Sequence, residues 1–332
     1  MNKIAFYIAF SLLFVYTNQI SAQPTTPTRL LSIYEDNDYL NLAGKGTDRA
    51  YTNGLRVEFF YETKKPFLLH LDDWLPKAGI NSIDTYGWAL MQMMFTPMDL
   101  SNPNYQAGDY PYSGMLLLTH SMISYNKTKR YNFRTQMLAG IRGPAALAEQ
   151  SQILIHRLTG DQKPKGWQNQ LDTKLLLNLS FTAEKQLANI NTLAEIIAGA
   201  SLSAGTVTNS VSVYPLIRLG KMARYFNGFF SQYSGGYATG RKLQFYLFTK
   251  PIISLVASNA LMHGQIGRSP GTLWKDHPPF TAPGNHFTAE LQYGFVFVIG
   301  KTSLSYTQKP TTAYSRGMYS HNTGNISLRI SW

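Results

Sequence analysis

The residues with the most chemical capacity fall into two clusters. The first is Glu35-Asp36-Asn37-Asp38, followed shortly by Asp48-Arg49-Ala50-Tyr51-Thr52-Asn53-Gly54. Carboxylate, amide and hydroxyl oxygens gathered at a strand end either cap a turn or offer ligands to a hard cation. The second begins at Gly143-Pro144 and runs through an Ala-, Leu-, Glu- and Gln-rich stretch to Thr159 and Gly160. Proline at a first helical position and glycine past the end are helix punctuation, so a helix is expected over Ala145 to Thr159. Glu149, Gln152 and His156 fall on one face of it. Imidazole changes charge near neutrality, so His156 could take and return a proton.

Generic catalytic motifs add little. Gly267-Arg268-Ser269-Pro270-Gly271 matches G-x-S-x-G in form. It lacks the strand-turn-helix setting of a nucleophile elbow, and proline follows its serine. No Walker loop, H-E-x-x-H pattern or EF-hand occurs. His263, His277, His286 and His321 fall in expected loops and read as solvated. The chain has no cysteine, which removes disulfides, thiolate metal sites and cysteine nucleophiles.

The elements that must carry these residues are strands. Of 332 residues 44% are hydrophobic, 13% aromatic and only 14% charged. That excludes a disordered chain. Beyond the N-terminal segment no apolar run is long enough for a spanning helix, which excludes a helical bundle in a membrane. Tyr131, Phe133, Thr135, Met137, Ala139 and Ile141 alternate with Asn132, Arg134, Gln136 and Arg142. Leu55 to Tyr61, Leu175 to Phe181 and Phe287 to Ile299 repeat this period of two, and Ile326, Leu328, Ile330 and Trp332 close the chain with it.

Segments of this kind begin near residues 30, 52, 85, 114, 130, 173, 190, 208, 242, 287, 301 and 324. Twelve is an even count, as a single-chain transmembrane β-barrel requires, and alternating strands explain a slightly negative mean hydropathy. The expected fold is therefore all-β, an antiparallel transmembrane barrel of about twelve strands with a short helix in one outward loop. Pro251 should kink or end its strand. Asn126-Lys127-Thr128 and Gly300-Lys301 are the tight inward turns of such a barrel, whereas the inward connections near 63–84 and 221–240 are longer than the architecture needs.

Residues 1–22 have the form of a cleaved signal peptide: Lys3, an apolar core from Ile4 to Tyr16, and Ile20-Ser21-Ala22 at the cleavage site. The barrel domain would then span residues 23–332. Its removal lowers the formal net charge from +12 to +11. For an exported barrel, this surplus points to the phosphates of lipopolysaccharide rather than to nucleic acid.

The two clusters, with Asp109-Tyr110-Pro111-Tyr112-Ser113-Gly114 and Gly166-Trp167, resemble the calcium-dependent outer-membrane lipid A 3′-O-deacylases. The likeness runs from the first strand to the terminal aromatic. Its most specific parts are D-R-x-Y-T-N-G and G-P-x(7)-Q-x(3)-H. It implies a twelve-stranded barrel in the Gram-negative outer membrane, acting as a monomer at its extracellular rim. There it would hydrolyse the 3′-acyloxyacyl ester of lipid A with Ca2+ as cofactor. Carried over by position, it implies roles for Asn37, Asp38, Thr52 and His156, with Asp38 at the metal and with Ser113, Gln152, Asp161 and Gln162 as supporting candidates.

Ester hydrolysis needs a base and oxyanion stabilisation, which His156 and a calcium ion near Asp38 would supply. Members often carry an acid six positions after the histidine, where this chain has Gln162 beside Asp161. Tyr110 also stands where arginine is common. A Ser113 or Thr52 nucleophile remains an alternative to activated water. A non-enzymatic barrel, a small porin or an adhesin, remains the alternative to an enzyme.

Overall fold

The computed structural model describes residues 27–42, 50–63, 71–191, 193–235, 242–262 and 284–332. The expected signal segment, Asp48, Arg49, the Gly267–Gly271 motif, His263 and His277 lie outside the described residues.

Twelve strands are joined by mostly long connections at one end and, at the other, by three tight turns and two longer segments. They are β1 (Arg29–Asn37), β2 (Ala50–Glu62), β3 (Ile83–Thr96), β4 (Ser113–Asn126), β5 (Tyr131–Arg142) and β6 (Lys174–Ile190). The second half comprises β7 (Ala194–Gly205), β8 (Thr208–Lys221), β9 (Leu243–Asn259), β10 (Phe287–Ile299), β11 (Thr302–Thr311) and β12 (His321–Ser331). Each pairs antiparallel with its neighbours, and β1 closes on β12 from Leu30↔Ser331 to Asn37↔Gly324, giving a closed barrel. Closure leaves no free sheet edge, which a bilayer would not tolerate. Trp332 completes the seam: its carbonyl accepts the amides of Thr28 and Arg29, and its own amide donates to Arg29 O at 3.0 Å.

The period-two pattern resolves into two faces. Leu55, Val57 and Phe59, Leu175, Leu177 and Leu179, and Leu243, Phe245 and Leu247 are exposed on the outer wall. Ser303, Ser305, Thr307, Asn325 and Ser327 are buried inside. An apolar belt this extensive on the outer wall is stable only when lipid covers it. Among the described residues no helix is long and apolar enough to cross a membrane.

Both long inward connections have work that tight turns could not do. Between β8 and β9, a turn at Tyr225–Asn227 and the short helix α2 (Phe229–Tyr233, numbered after the loop helix α1 described below) fold into the barrel mouth. Tyr225, Phe226, Phe229 and Phe230 pack there with Leu30, Phe60, Ile123 and Tyr125. Each fully buried phenylalanine is worth about 1.5–3 kcal/mol, so the plug is a firm part of the fold. Between β2 and β3, a turn at Leu71–Trp74 brings Asp72 to His120, with Nε2 and Oδ1 2.7 Å apart.

Three expectations need correction. Pro251 neither ends nor divides β9, which continues to Asn259. Its missing N–H coincides with a gap in the β8–β9 ladder between Val213↔Ile253 and Ile217↔Thr249, while Pro251 still pairs with Leu291 of β10. His321 is not a solvated loop residue: it starts β12, is buried, and packs against Tyr314 with ring centroids 4.9 Å apart and the rings tilted by 42°. His286 fits the expectation better, being exposed with Nδ1 2.9 Å from Val256 O.

The third concerns the loop helix. Pro144–Ala146 form a 3-10 turn, Leu147 adopts φ 58°, and the α-helix proper, α1, spans Ala148–Thr159 before Gly160 ends it at φ 75°. The break at Leu147 lets Ala148 sit flat on β4. A Cβ on Gly114 would lie 2.3 Å from Ala148 Cβ, so only glycine admits the helix there.

Candidate functional site

Asn37 ends β1 and caps the next turn, its Oδ1 accepting the Tyr39 amide at 2.8 Å. The turn buries Asp38 at 5% exposure. Opposite, the β2–β3 ladder passes from Tyr51↔Phe95 directly to Asn53↔Met94, so Thr52 is the extra residue of a β-bulge. Bulges re-aim side chains. Thr52 Oγ1 lies 2.6 Å from Thr96 Oγ1 and contacts Ala50 O at 3.3 Å.

Helix α1 lies across these strand ends and turns Ala148, Gln152 and His156 inward. Glu149, expected on the same face, is only partly buried. Gln92 of β3 ties wall to loop by donating to Ala146 O at 2.7 Å. Between helix and wall is a cavity of about 400 Å³. Asn37, Asp38, Thr52, Gln152, His156 and Asp161 all line it, together with Glu35, Asn53 and Leu55. Register shows which side this is. Glu35 pairs with Leu55 and Leu55 with Gln92, and Leu55 belongs to the exposed outer stripe. The cavity therefore opens on the outer wall, at the end opposite Arg29 and Ser331.

Two polar side chains in it are held in one orientation. His156 Nδ1 is 2.5 Å from the main-chain oxygen of Gln162. A carbonyl only accepts, so Nδ1 carries the proton and, in the neutral ring, Nε2 is the basic nitrogen. The absent acidic side chain at position 162 is thus replaced by a peptide oxygen, whatever the residue. The αL turn at Gly160 delivers it: the amides of Gly160 and Asp161 donate to His156 O, folding the chain back toward the ring. The Asp161 carboxylate instead accepts from Thr159 Oγ1 at 2.5 Å.

Gln152 is the second, at 3% exposure. The buried indole of Trp167 donates to its Oε1 at 2.7 Å. An indole N–H cannot accept, so the amide orientation is fixed and Nε2 is turned away from Trp167. That nitrogen has no hydrogen-bond partner among the described residues. A buried, unsatisfied donor costs about 1–3 kcal/mol and calls for an explanation. It stands one helical turn from His156 in the same cavity.

Ser113 is elsewhere. It pairs with Phe95, is fully buried, does not line the cavity, and its Oγ makes no hydrogen bond among the described residues. The Asp109–Tyr112 segment is scaffold. Asp109 accepts from Tyr319 OH at 2.8 Å and Met98 N at 2.7 Å. Burial pushes the Tyr110 hydroxyl up to about 12, so it stays protonated and donates to Tyr319 O. Glu35 and Asn53 belong to the first sequence cluster but carry no expected role there; they are hydrogen-bonded to each other on the cavity wall. Their signal was available: both are polar at outward positions of otherwise apolar stripes.

The oxygens at Asp38, Asn37 and Thr52 form a hard donor set with one buried carboxylate, which suits calcium. Among the described residues no three His, Asp or Glu side chains are placed to hold one metal ion together, so amide, hydroxyl, peptide and water oxygens would complete the shell.

The family described as outer membrane protein LpxR matches residues 6–332. Among solved structures, LpxR from Salmonella typhimurium superposes with a TM-score of 0.73 at 17% identity, covering 91% of this chain and 100% of that one. The β domain of the Bordetella autotransporter BrkA gives 0.43 at 10% identity, covering 93% and 100%. No curated protein sequence matches.

Proposed function

Because the chain belongs to the LpxR family of outer-membrane proteins, we propose that it is a lipid A deacylase, hydrolysing the 3′-acyloxyacyl ester in the outer leaflet. What carries this reading is one juxtaposition. His156 and Gln152 on the loop helix face Asn37, Asp38 and Thr52 of the barrel wall across a cavity that opens toward lipid. A lipid substrate reaches such a site sideways from its own leaflet and need not leave it. The long-loop end is then extracellular.

In the proposed reaction, His156 Nε2 takes a proton from water as the oxygen attacks the ester carbonyl. The Gln162 carbonyl holds the ring and steadies the imidazolium that forms. Gln152 Nε2–H donates to the oxygen on which negative charge develops, and its buried setting strengthens that bond. His156 then returns the proton to the departing 3′ sugar oxygen as its bond to the acyl carbon breaks, leaving the acyloxyacyl chain as a free carboxylate. Asp38, with Asn37 and Thr52, would hold calcium, which when bound supplies Lewis-acid polarisation of the ester carbonyl. The serine alternative is not supported by the placement of Ser113, and Thr52 shares its hydroxyl with Thr96 rather than with His156. The porin alternative needs an open lumen, and the aromatic plug occupies one mouth.

The test is purified protein in mixed micelles with lipid A, following release of the acyloxyacyl product with and without a calcium chelator. Product that appears with calcium and stops with chelator supports the scheme. Product unaffected by chelation removes the metal from it. No product under any condition overturns the enzymatic reading.

A further inference from the structure

The barrel interior holds a second polar cavity, of about 260 Å³, separated from the outer-wall site by the barrel wall. Five cationic side chains line it, Arg134, Arg218, Lys250, Lys309 and Arg329, against a single carboxylate, Glu184. Two of the five are satisfied nearby: Arg218 pairs with Glu195 at 2.8 Å and Lys309 with Asp36 at 2.7 Å. Glu184 forms no ion pair with the others, although its charge reaches both Arg134 and Lys250. Its two oxygens accept from Asn132 Nδ2 at 2.8 Å, Tyr214 OH at 2.8 Å and Tyr225 OH at 2.7 Å.

Arg134, Lys250 and Arg329 therefore make no ion pair among the described residues, although they come from three different strands and face one space. Lys250 and Arg329 are held instead by aromatic faces, Lys250 3.8 Å from the Tyr214 ring centre and Arg329 4.2 Å from that of Tyr233. Arg329 also donates to Ser305 Oγ at 3.0 Å. Arg134 and Lys250 have no hydrogen-bond partner among the described residues, and Lys250 lies within reach of the like charges of Arg134 and Lys309. The acids Glu58 and Glu290 act on this group from farther off, and each is already bonded, to Arg56 and to Gln292 respectively. Three cations, two of them held by neutral rings, face one space with only the shared charge of Glu184 lining it, and this positive surplus forms a socket for an anion.

We propose that the lumen binds a small, multiply charged oxyanion of the phosphate class between Arg134, Lys250 and Arg329. Tyr225, Phe229, Gln232 and Tyr233 of the plug line the same cavity, so the bound anion ties the plug to the wall strands β5, β9 and β12. The cavity admits an inorganic phosphate or a small phosphate monoester and excludes a lipid. The site is independent of the deacylation reading, since none of the three cations lines the outer-wall cavity.

The experiment uses the intact barrel in detergent. Inorganic phosphate is titrated against chloride at matched ionic strength, reading the temperature at which unboiled protein converts to the unfolded gel form. A ligand that binds only the folded state raises that temperature saturably. The expected result is a saturable rise with phosphate, none with chloride, and at least tenfold weaker phosphate binding in Arg134→Met/Lys250→Met, with deacylation unchanged. Equal shifts with both salts, or a phosphate effect that survives in the double variant, overturn the site. If the double variant fails to assemble, 31P line broadening of inorganic phosphate by the wild-type barrel decides, its absence refuting the proposal. Adding lipid A micelles should not displace the phosphate; displacement would place the site outside the lumen and overturn this assignment.

Discussion

Replacing Gln152 by glutamate separates what the side chain does for the fold from what it does for the reaction. The carboxylate keeps an oxygen for the Trp167 indole, now 2.7 Å from Oε1, so the buried contact that seats α1 survives. Only the donor turned away from Trp167 is lost, replaced by an oxygen that repels the developing oxyanion. Loss of one such donor typically costs about 10²- to 10³-fold in turnover, or about 2.7–4 kcal/mol, and an added repulsion pushes the effect to the upper end. An extra carboxylate in this cavity would strengthen cation binding, so the loss cannot be assigned to a missing metal. Trp167→Phe is the control in the other direction. It leaves Gln152 in place but removes the bond that orients it, worth about 1 kcal/mol, so turnover should fall by less than tenfold. Both variants are assayed by mass spectrometry of lipid A in micelles, with unboiled gel migration as the check on folding. A folded Gln152→Glu barrel turning over at the wild-type rate would refute the oxyanion role.

His156→Ala should assemble normally and lose about 10²- to 10⁴-fold in turnover. The wild-type rate should also rise with pH through the imidazole range, and that rise should vanish from the variant's residual activity. Gln162→Ala should stay within about twofold of wild type in the same assay, because a peptide oxygen holds the His156 ring; a large loss would show that the side chain matters. Gly114→Val should leave the barrel folded in unboiled gels yet abolish activity, since its Cβ would meet Ala148 at 2.3 Å and unseat α1.

The strands were legible because the same physics writes and reads them. Lipid outside and a polar interior force apolar and polar residues to alternate, and all twelve expected starts fall within four residues of the observed ones. The C-terminal end of the loop helix was legible from Gly160, whereas Pro144 opens a separate 3-10 turn ahead of it. The break between the two at Leu147 was not legible, because a leucine at φ 58° is imposed by the seat on Gly114, a contact between distant segments. The bulge at Thr52 has no local signature either; it appears only when β2 is laid against β3. Position 162 misled for a different reason. Comparing side chains suggested a missing acid, whereas the group that meets His156 is main-chain and invisible to any such comparison. The pair of Asp72 and His120, and the plug from Tyr225 to Tyr233, explain the overlong inward connections through contacts that no window along the chain contains.

The most direct measurement is the mass of lipid A extracted from a Gram-negative host expressing this chain, beside hosts expressing Asp38→Asn and an empty vector, with calcium supplied or chelated. The wild type should lower the lipid A mass by the 3′-acyloxyacyl group when calcium is present. Asp38→Asn should do so only when calcium is in excess, as expected if its carboxylate contributes charge to the metal site. Lipid A of unchanged mass in cells whose outer membrane holds the folded wild-type barrel and ample calcium would contradict it.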